Sequence, residues 1–248
     1  MPPELTKDQI EDIREIRDLC AEFEADFVII GAIAYKLHFP DEDRFTADID
    51  ATIALDLQSF WEFARRLEES GWKRDPAQEQ RWRSRRGSYF DILPAGPELR
   101  QAKEIIWPKS QFAMSLVGFD HVFARAVSHR IAEDFYVKTI PPVVLALTKV
   151  VSFMDDPYRR PKDLTDIRSL LDRYEEGTDR IFDDAVFEAR LSDIGQANAF
   201  FLGLDLAKIC TVEEFAVVQQ FVRRFEDQDD QFASKVAAFN KGLLRTKR

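Results

Sequence analysis

The sequence predicts an α+β fold, a mixed sheet flanked by helices over residues 1–140, with a helical domain over residues 141–248. Three observations predict it. An apolar run, Phe27 to Ile30, passes through Gly31-Ala32 into Ile33, Ala34 and Leu37 at helical spacing, which reads as strand, tight turn and helix. Short segments of period-two alternation follow, separated by Gly71 and Gly87 at turn positions. From Pro142 onward the apolar residues recur almost wholly at helical intervals.

Taken in order, Thr6-x-x-Gln9 forms a capping box that opens a first helix, with Ile10, Ile13, Ile16, Leu19 and Phe23 on one face. A strand is expected over 27–31, a helix over 32–38, a strand over 48–54 and a helix over 57–69. Strands near 72–75, 80–86 and 88–93 complete the alternating region. Residues 95–140 carry weaker signals, with short strands expected at 112–117 and 135–140 and a helix at 119–126. Beyond them a helix starts near Pro141-Pro142, where proline suits a first turn. Three sets of apolar residues then fit packed amphipathic helices, their phenylalanines in the core. The sets are Phe182, Val186 and Ala189; Phe200, Phe201 and Leu204; and Phe215, Val218, Phe221 and Val222. The acidic run 226–230 reads as a solvated helix junction and the basic tail 241–248 as a fraying end.

Chemistry concentrates around Ala47-Asp-Ile-Asp-Ala-Thr-Ile-Ala54. In an extended segment Asp48 and Asp50 face the same way, about 7 Å apart, while Ile49 points to the core. Two acids so placed repel, and a divalent ion relieves them; a solvated edge face is the alternative. Ahead of them, a glycine opening a helix lets backbone N–H groups approach an anion, so phosphate is a natural occupant of the Gly31 turn. The chain has neither a P-loop nor a dinucleotide-binding glycine pattern. A third acid, Asp91, stands among apolar residues in Ser88-Tyr-Phe-Asp-Ile-Leu-Pro94 and needs a partner there. A metal shared with Asp48 and Asp50 would serve, and so would an arginine from the preceding strand. Farther on, Lys149 interrupts an apolar helix, and Asp163 and Asp166 share one face of the next. Left to composition alone, these read equally as a snorkelling lysine, an N-cap and a solvated acid.

These motifs, in this order, resemble the polymerase-beta-like nucleotidyltransferase superfamily, closest to its minimal and AbiEii-type members. The signature there is a Gly-Gly or Gly-Ser turn, a helix, and Asp-x-Asp or Asp-x-Glu on the next strand. Gly31 matches its first position and Asp48 and Asp50 its acids; Ala32 stands where Gly or Ser is usual, leaving only a backbone amide to meet phosphate. Arg159-Arg-Pro-Lys-Asp163-Leu-Thr-Asp166-Ile matches the family's second block, after Lys149. The resemblance covers roughly residues 25–172. It implies a nucleotidyltransferase fold that attacks the α-phosphate of a nucleoside triphosphate with an acceptor hydroxyl and releases pyrophosphate. It further implies Mg2+ on Asp48, Asp50 and Asp91, with Asp91 helping to deprotonate the hydroxyl. Gly31, Ala32, Arg44, Thr46, Lys149, Asp163 and Asp166 would bind nucleotide, the lysine on a phosphate and one or both aspartates orienting that lysine or the nucleotide. Relatives include toxins of toxin–antitoxin systems, some of which add nucleotides to the 3′ end of tRNA, and others that modify proteins or small molecules, so a tRNA acceptor and an antitoxin protein are among the implied partners. The competing expectations are an inactive nucleotide-binding module, which Ala32 suggests, and a protein-interaction module on the same scaffold.

Composition frames these readings. A formal net charge of −10 argues against a nonspecific nucleic-acid coat protein. One basic segment stands out: Arg81, Arg83 and Arg85 alternate before the Asp91 strand and are candidate RNA or phosphate contacts, with Trp72 and Trp82 nearby for base stacking. Solvated edge arginines that discourage strand pairing are the alternative. No apolar run approaches a membrane span, and the first residues lack a basic segment followed by an apolar one, so a cytoplasmic protein without membrane contact is expected. Cys20 and Cys210 read as reduced thiols, and the three histidines lack metal-ligand spacing.

Overall fold

The structure, a computed structural model, describes residues 5–40, 46, 48–226 and 230–245. Arg44 lies outside the described residues, as do parts of the 226–230 acidic run and the basic tail. The chain divides into two compact units, Met1–Pro141 and Pro142–Arg248.

The first unit opens with α1 (Lys7–Glu22), and both halves of the capping box form: Gln9 N–H donates to Thr6 Oγ1 at 3.1 Å and Thr6 N–H to Gln9 Oε1 at 2.9 Å. Then come β1 (Phe27–Ile29), α2 (Gly31–His38), β2 (Asp48–Ile53), α3 (Leu57–Glu69), β3 (Lys73–Arg74), β4 (Arg81–Arg83) and β5 (Tyr89–Pro94). The rest of the unit is α4 (Pro97–Ala102), β6 (Glu104–Ile106), β7 (Ala113–Ser115), α5 (Phe119–Ala124), β8 (Val127–Ala132) and β9 (Phe135–Thr139). Seven strands form one mixed sheet in the order β3-β4-β5-β2-β1-β9-β8, while β6 and β7 pair apart from it. The β2–β5 and β1–β9 pairs are parallel and the others antiparallel.

The apolar alternation decides which face of the sheet is core. Ile49, Ala51 and Ile53 of β2, Phe90 and Ile92 of β5 and Trp82 of β4 are all buried. Trp72 packs edge-on against Phe90 at 5.2 Å, and its indole N–H donates to Glu15 of α1 at 3.0 Å. Both tryptophans are therefore core residues, with Trp82 fully buried, and neither offers a face for base stacking. Burial pushes the Cys20 thiol up to about 12, and both cysteines are free. His38, held near 4 by burial, donates an Nε2 hydrogen bond to the Ile140 carbonyl at 2.8 Å.

The second unit contains α6 (Pro142–Asp155), α7 (Pro161–Arg173), α8 (Asp184–Glu188), α9 (Ala197–Ile209), α10 (Val212–Phe225) and α11 (Gln231–Arg245), with 3-10 turns at Asp179–Phe182 and Ile194–Gln196. α9 and α11 cross at two glycines: a Cβ at Gly203 would meet the Phe239 carbonyl oxygen at 2.0 Å, and one at Gly242 the Phe200 oxygen at 2.0 Å. Phe200 and Phe201 are core, as the periodicity expects, but Phe182 is 63% exposed on its 3-10 turn and Phe215 is only half-buried. No helix among the described residues is long and apolar enough to cross a membrane.

Candidate active site

On the opposite face of β2, β5 and β4 the strand registers build a small grid. Asp50 lies beside Asp91, and Asp91 beside Arg81. One row along, Asp48 lies beside Tyr89, and Tyr89 beside Arg83. Laterally paired residues share a face, so all six side chains rise from one side of the sheet. Asp48, Asp50 and Asp91 are each only half-buried, within reach of solvent and of a ligand.

The Gly31 turn abuts this grid. Ile30 N–H donates to the Asp50 carbonyl at 2.9 Å, which brings the start of α2 against β2. Gly31 has φ +63, and a Cβ built there would sit 2.1 Å from Asp50 Oδ2 and 2.8 Å from Asp50 Cβ. Conformation and space both require glycine. Asp50 thus packs on the amino end of an eight-residue helix, where backbone N–H groups favour negative charge. Ala32 is buried in the first turn. The Thr46 hydroxyl donates to the Asp48 carbonyl at 3.1 Å and so fixes the entry to β2.

Asp91 does have the arginine partner from the preceding strand. Arg81 Nε donates to Asp91 Oδ1 at 2.9 Å and Nη2 to Asp91 Oδ2 at 3.0 Å, a two-pronged pair. The same Nη2 reaches Asp48 Oδ2 at 2.6 Å. One guanidinium therefore ties together acids from two strands. The side chains are 26%, 21% and 37% exposed for Arg81, Asp91 and Asp48, so the contacts are worth about 1 kcal/mol or less apiece, well short of a buried pair. The arginines do not form one strip. Arg83 lies 5.8 Å over the Tyr89 ring, while β4 ends at Arg83 and Arg85 turns away to Glu15 at 3.3 Å.

The other predicted set lies in the second unit. Lys149 of α6, its side chain 17% exposed, is paired with two buried acids of α7, Asp163 Oδ1 at 2.6 Å and Asp166 Oδ2 at 2.9 Å. Asp163 and Asp166 are one turn apart on α7, so both face α6. Burial works against the ammonium, but the two carboxylates outweigh it and its pKa is raised. Lys149 does not snorkel, and Asp163 stands inside the helix rather than capping it. Asp163 Oδ2 has no hydrogen-bond partner among the described residues. The trio carries one more negative than positive charge.

Three carboxylates on one face, two of them already bridged by a cationic group, are a donor set of the kind a hard divalent ion takes. No three acids, histidines or cysteines among the described residues stand together closely enough to form a group that could hold a metal ion. The identity of Arg81 as the bridging group is what sequence reasoning missed. The hairpin is centred on Arg86, one residue before the glycine that marks the turn, and this register sets Arg81 rather than Arg83 beside Asp91.

Among solved structures the chain is similar to an antigenic nucleotidyltransferase-like protein from Paracoccidioides brasiliensis, at 16% identity over 94% of each chain and a TM-score of 0.48. It is also similar to the lincosamide antibiotic adenylyltransferase LnuA, at 17% identity over 66% of this chain and 98% of that one, with a TM-score of 0.41. A third is the antibiotic-resistance factor ANT(2″)-Ia, at 15% identity over 66% and 83% of the two chains, with a TM-score of 0.38. No curated protein matches the chain. The family model described as nucleotidyl transferase AbiEii toxin, Type IV TA system, matches residues 17–247, nearly the whole chain, and the protein belongs to that family.

Proposed function

We propose that this nucleotidyltransferase moves a nucleoside monophosphate from a nucleoside triphosphate to the 3′ end of a tRNA, as the toxin of a pair whose antitoxin is a second protein. Family membership makes the chain a nucleotidyltransferase of the AbiEii type. The observation that carries the choice of site is the grid: Asp48, Asp50 and Asp91 rise from one sheet face beside the Gly31 turn.

Mg2+ held by these three acids would offset phosphate charge and lower the pKa of the attacking hydroxyl. Asp50, fixed against the α2 amino end, positions the site relative to backbone N–H groups that receive phosphate oxygens. Gly31 and Ala32 contribute only main chain to that cradle. Thr46 holds the strand entry, and Arg44 in the same segment is assigned to the nucleotide. Asp91 completes the site and helps to deprotonate the attacking hydroxyl. Asp163 and Asp166 hold Lys149, which is assigned to a phosphate oxygen. Arg83 is the strand arginine proposed to meet RNA or triphosphate; Arg85, turned to α1, serves the fold instead. A cytoplasmic location completes the proposal.

The test is incubation with Mg2+, each α-labelled nucleoside triphosphate and total tRNA, beside Asp48→Asn. Label on tRNA that falls at least about 100-fold in a folded Asp48→Asn variant is expected. Label on protein would redirect the acceptor, and full activity of the variant would sink the site.

A further inference from the structure

Between α7 and α9 the chain runs from Tyr174 to Gln196 through nothing longer than the five-residue α8. So long a connection with so little regular structure is uncommon in a compact unit, and such segments tend to carry function. This one is firmly pinned. Arg180 turns inward, donating to both carboxylate oxygens of Asp205 on α9, Nη2 at 2.9 Å, and to buried Glu175. The Tyr174 hydroxyl donates to the same Asp205 at 3.0 Å, and the Glu175 N–H to Asn198 Oδ1 at 2.7 Å. From α11, Arg245 donates to the Ala185 carbonyl at 3.1 Å and Lys241 to the Arg190 carbonyl at 3.2 Å. Val186 packs into a core with Phe200 and Phe201.

On this frame two phenylalanines face water: Phe182 is 63% and Phe187 67% exposed. Phe182 ends the 3-10 turn, Asp183 caps α8, and Phe187 stands one turn on, on the helix face that Asp183 and Asp184 share. The rings therefore flank an acidic pair. Residues 176–193 hold six acids and two arginines, of which Arg180 is turned inward. Asp179 and Asp184 are exposed, with no ion-pair partner among the described residues.

We infer that this surface docks a second protein through a basic segment that carries an aromatic or leucine side chain. Exposed apolar surface rimmed by polar groups marks interaction sites, and rings presented on a firm frame lose little freedom when they are covered. The rim selects the sign of the partner. Arginine or lysine answers Asp179 and Asp184, and arginine also stacks on the rings. The same rim repels nucleic acid, and it repels a second copy of a chain whose net charge is −10. This surface lies in the second unit and owes nothing to the acids of the sheet.

The immobilised full chain is panned against a phage library of random dodecapeptides, with Phe182→Ser/Phe187→Ser as the counter-selection. Both side chains are exposed, so the double variant is expected to unfold in urea at the midpoint of the unaltered chain. Peptides kept by the unaltered chain and rejected by the variant are expected to carry net positive charge and an aromatic or leucine residue. The tightest of them, labelled and followed by anisotropy, is expected to bind about tenfold more weakly to Phe187→Ser, and about tenfold more weakly to Asp179→Asn/Asp184→Asn. If the double phenylalanine variant unfolds early, Asp179→Asn/Asp184→Asn replaces it as the counter-selection and the same outcomes decide. No peptide that distinguishes the two chains, or selected peptides of neutral or acidic composition, overturns the inference. A dimer of the unaltered chain that becomes monomeric in the variant overturns it in favour of a second copy, and loss of tRNA binding in the variant overturns it in favour of RNA.

Discussion

At the scale of single residues, glycine 31 is the position where sequence, backbone and site converge. The apolar run before it and the helical spacing after it make the turn legible. Its second constraint, the Asp50 carboxylate pressed against the space a side chain would fill, is not legible, because it depends on how β1 and β2 pair. Gly31→Ala must accept a positive φ, costing about 1–2 kcal/mol. It must also clear Asp50, and rotating that side chain moves the carboxylate but not its Cβ, 2.8 Å away. The variant is expected to melt several degrees lower and to lose transfer activity together. A wild-type melting temperature would show that the turn is not built as described. Arg81 and Asp91 teach the complementary lesson. Either a metal or an arginine could answer for the acid from sequence alone, and the register of a hairpin sets Arg81 beside Asp91.

At the scale of elements, signals succeeded where one face of a segment is core and failed where it is not. The capping box of α1, the alternation in β2 and β5 and the long apolar helices of the second unit all bury a continuous stripe. β8 went unread because Val127-Ser-His-Arg-Ile-Ala132 is an edge strand with little buried on either face. The strand expected over 80–86 stops at Arg83, since Ser84 to Ser88 close the hairpin turn, with Ser84 N–H donating to the Ser88 carbonyl at 2.9 Å. Phe182 was assigned to a core helix by periodicity, but a four-residue 3-10 turn does not carry that period. The crossing of α9 and α11 offers an element-scale test. Gly242→Ala would gain about 1 kcal/mol of helix propensity. It would also drive a methyl to 2.0 Å from the Phe200 carbonyl oxygen, and backbone cannot rotate aside as a side chain can. Overpacking of this kind costs about 1–3 kcal/mol or more, so the clash wins and a net loss is expected in urea unfolding. An unchanged midpoint would mean that the helices are farther apart than this.

At the scale of the whole molecule, charge is the property that bears most directly on the acceptor. A protein of net charge −10 meets a polyanion with long-range repulsion, which 0.15 M salt screens beyond about 8 Å. Attraction must then come from a few local cations, and the fold has dispersed those that the sequence placed in a row. Arg81 is on the acids and Arg85 and Arg86 are on Glu15 and Asp12 of α1, which leaves Arg83, over the Tyr89 ring, as the other member of the row on the site face. Such a surface neutralises about three phosphates at most, so binding to tRNA should weaken with a log–log slope no steeper than about −3. Between 50 and 200 mM KCl that is a loss of less than about 60-fold, measured by anisotropy of labelled tRNA, against about 10³-fold or more for six or more phosphate contacts. A slope near −6 would require an extended basic surface that the strand arginines do not supply. A shallow slope with tight binding would instead mean that the tRNA end is held by shape and by the site itself, as expected of an enzyme whose affinity is spent at the reacting terminus.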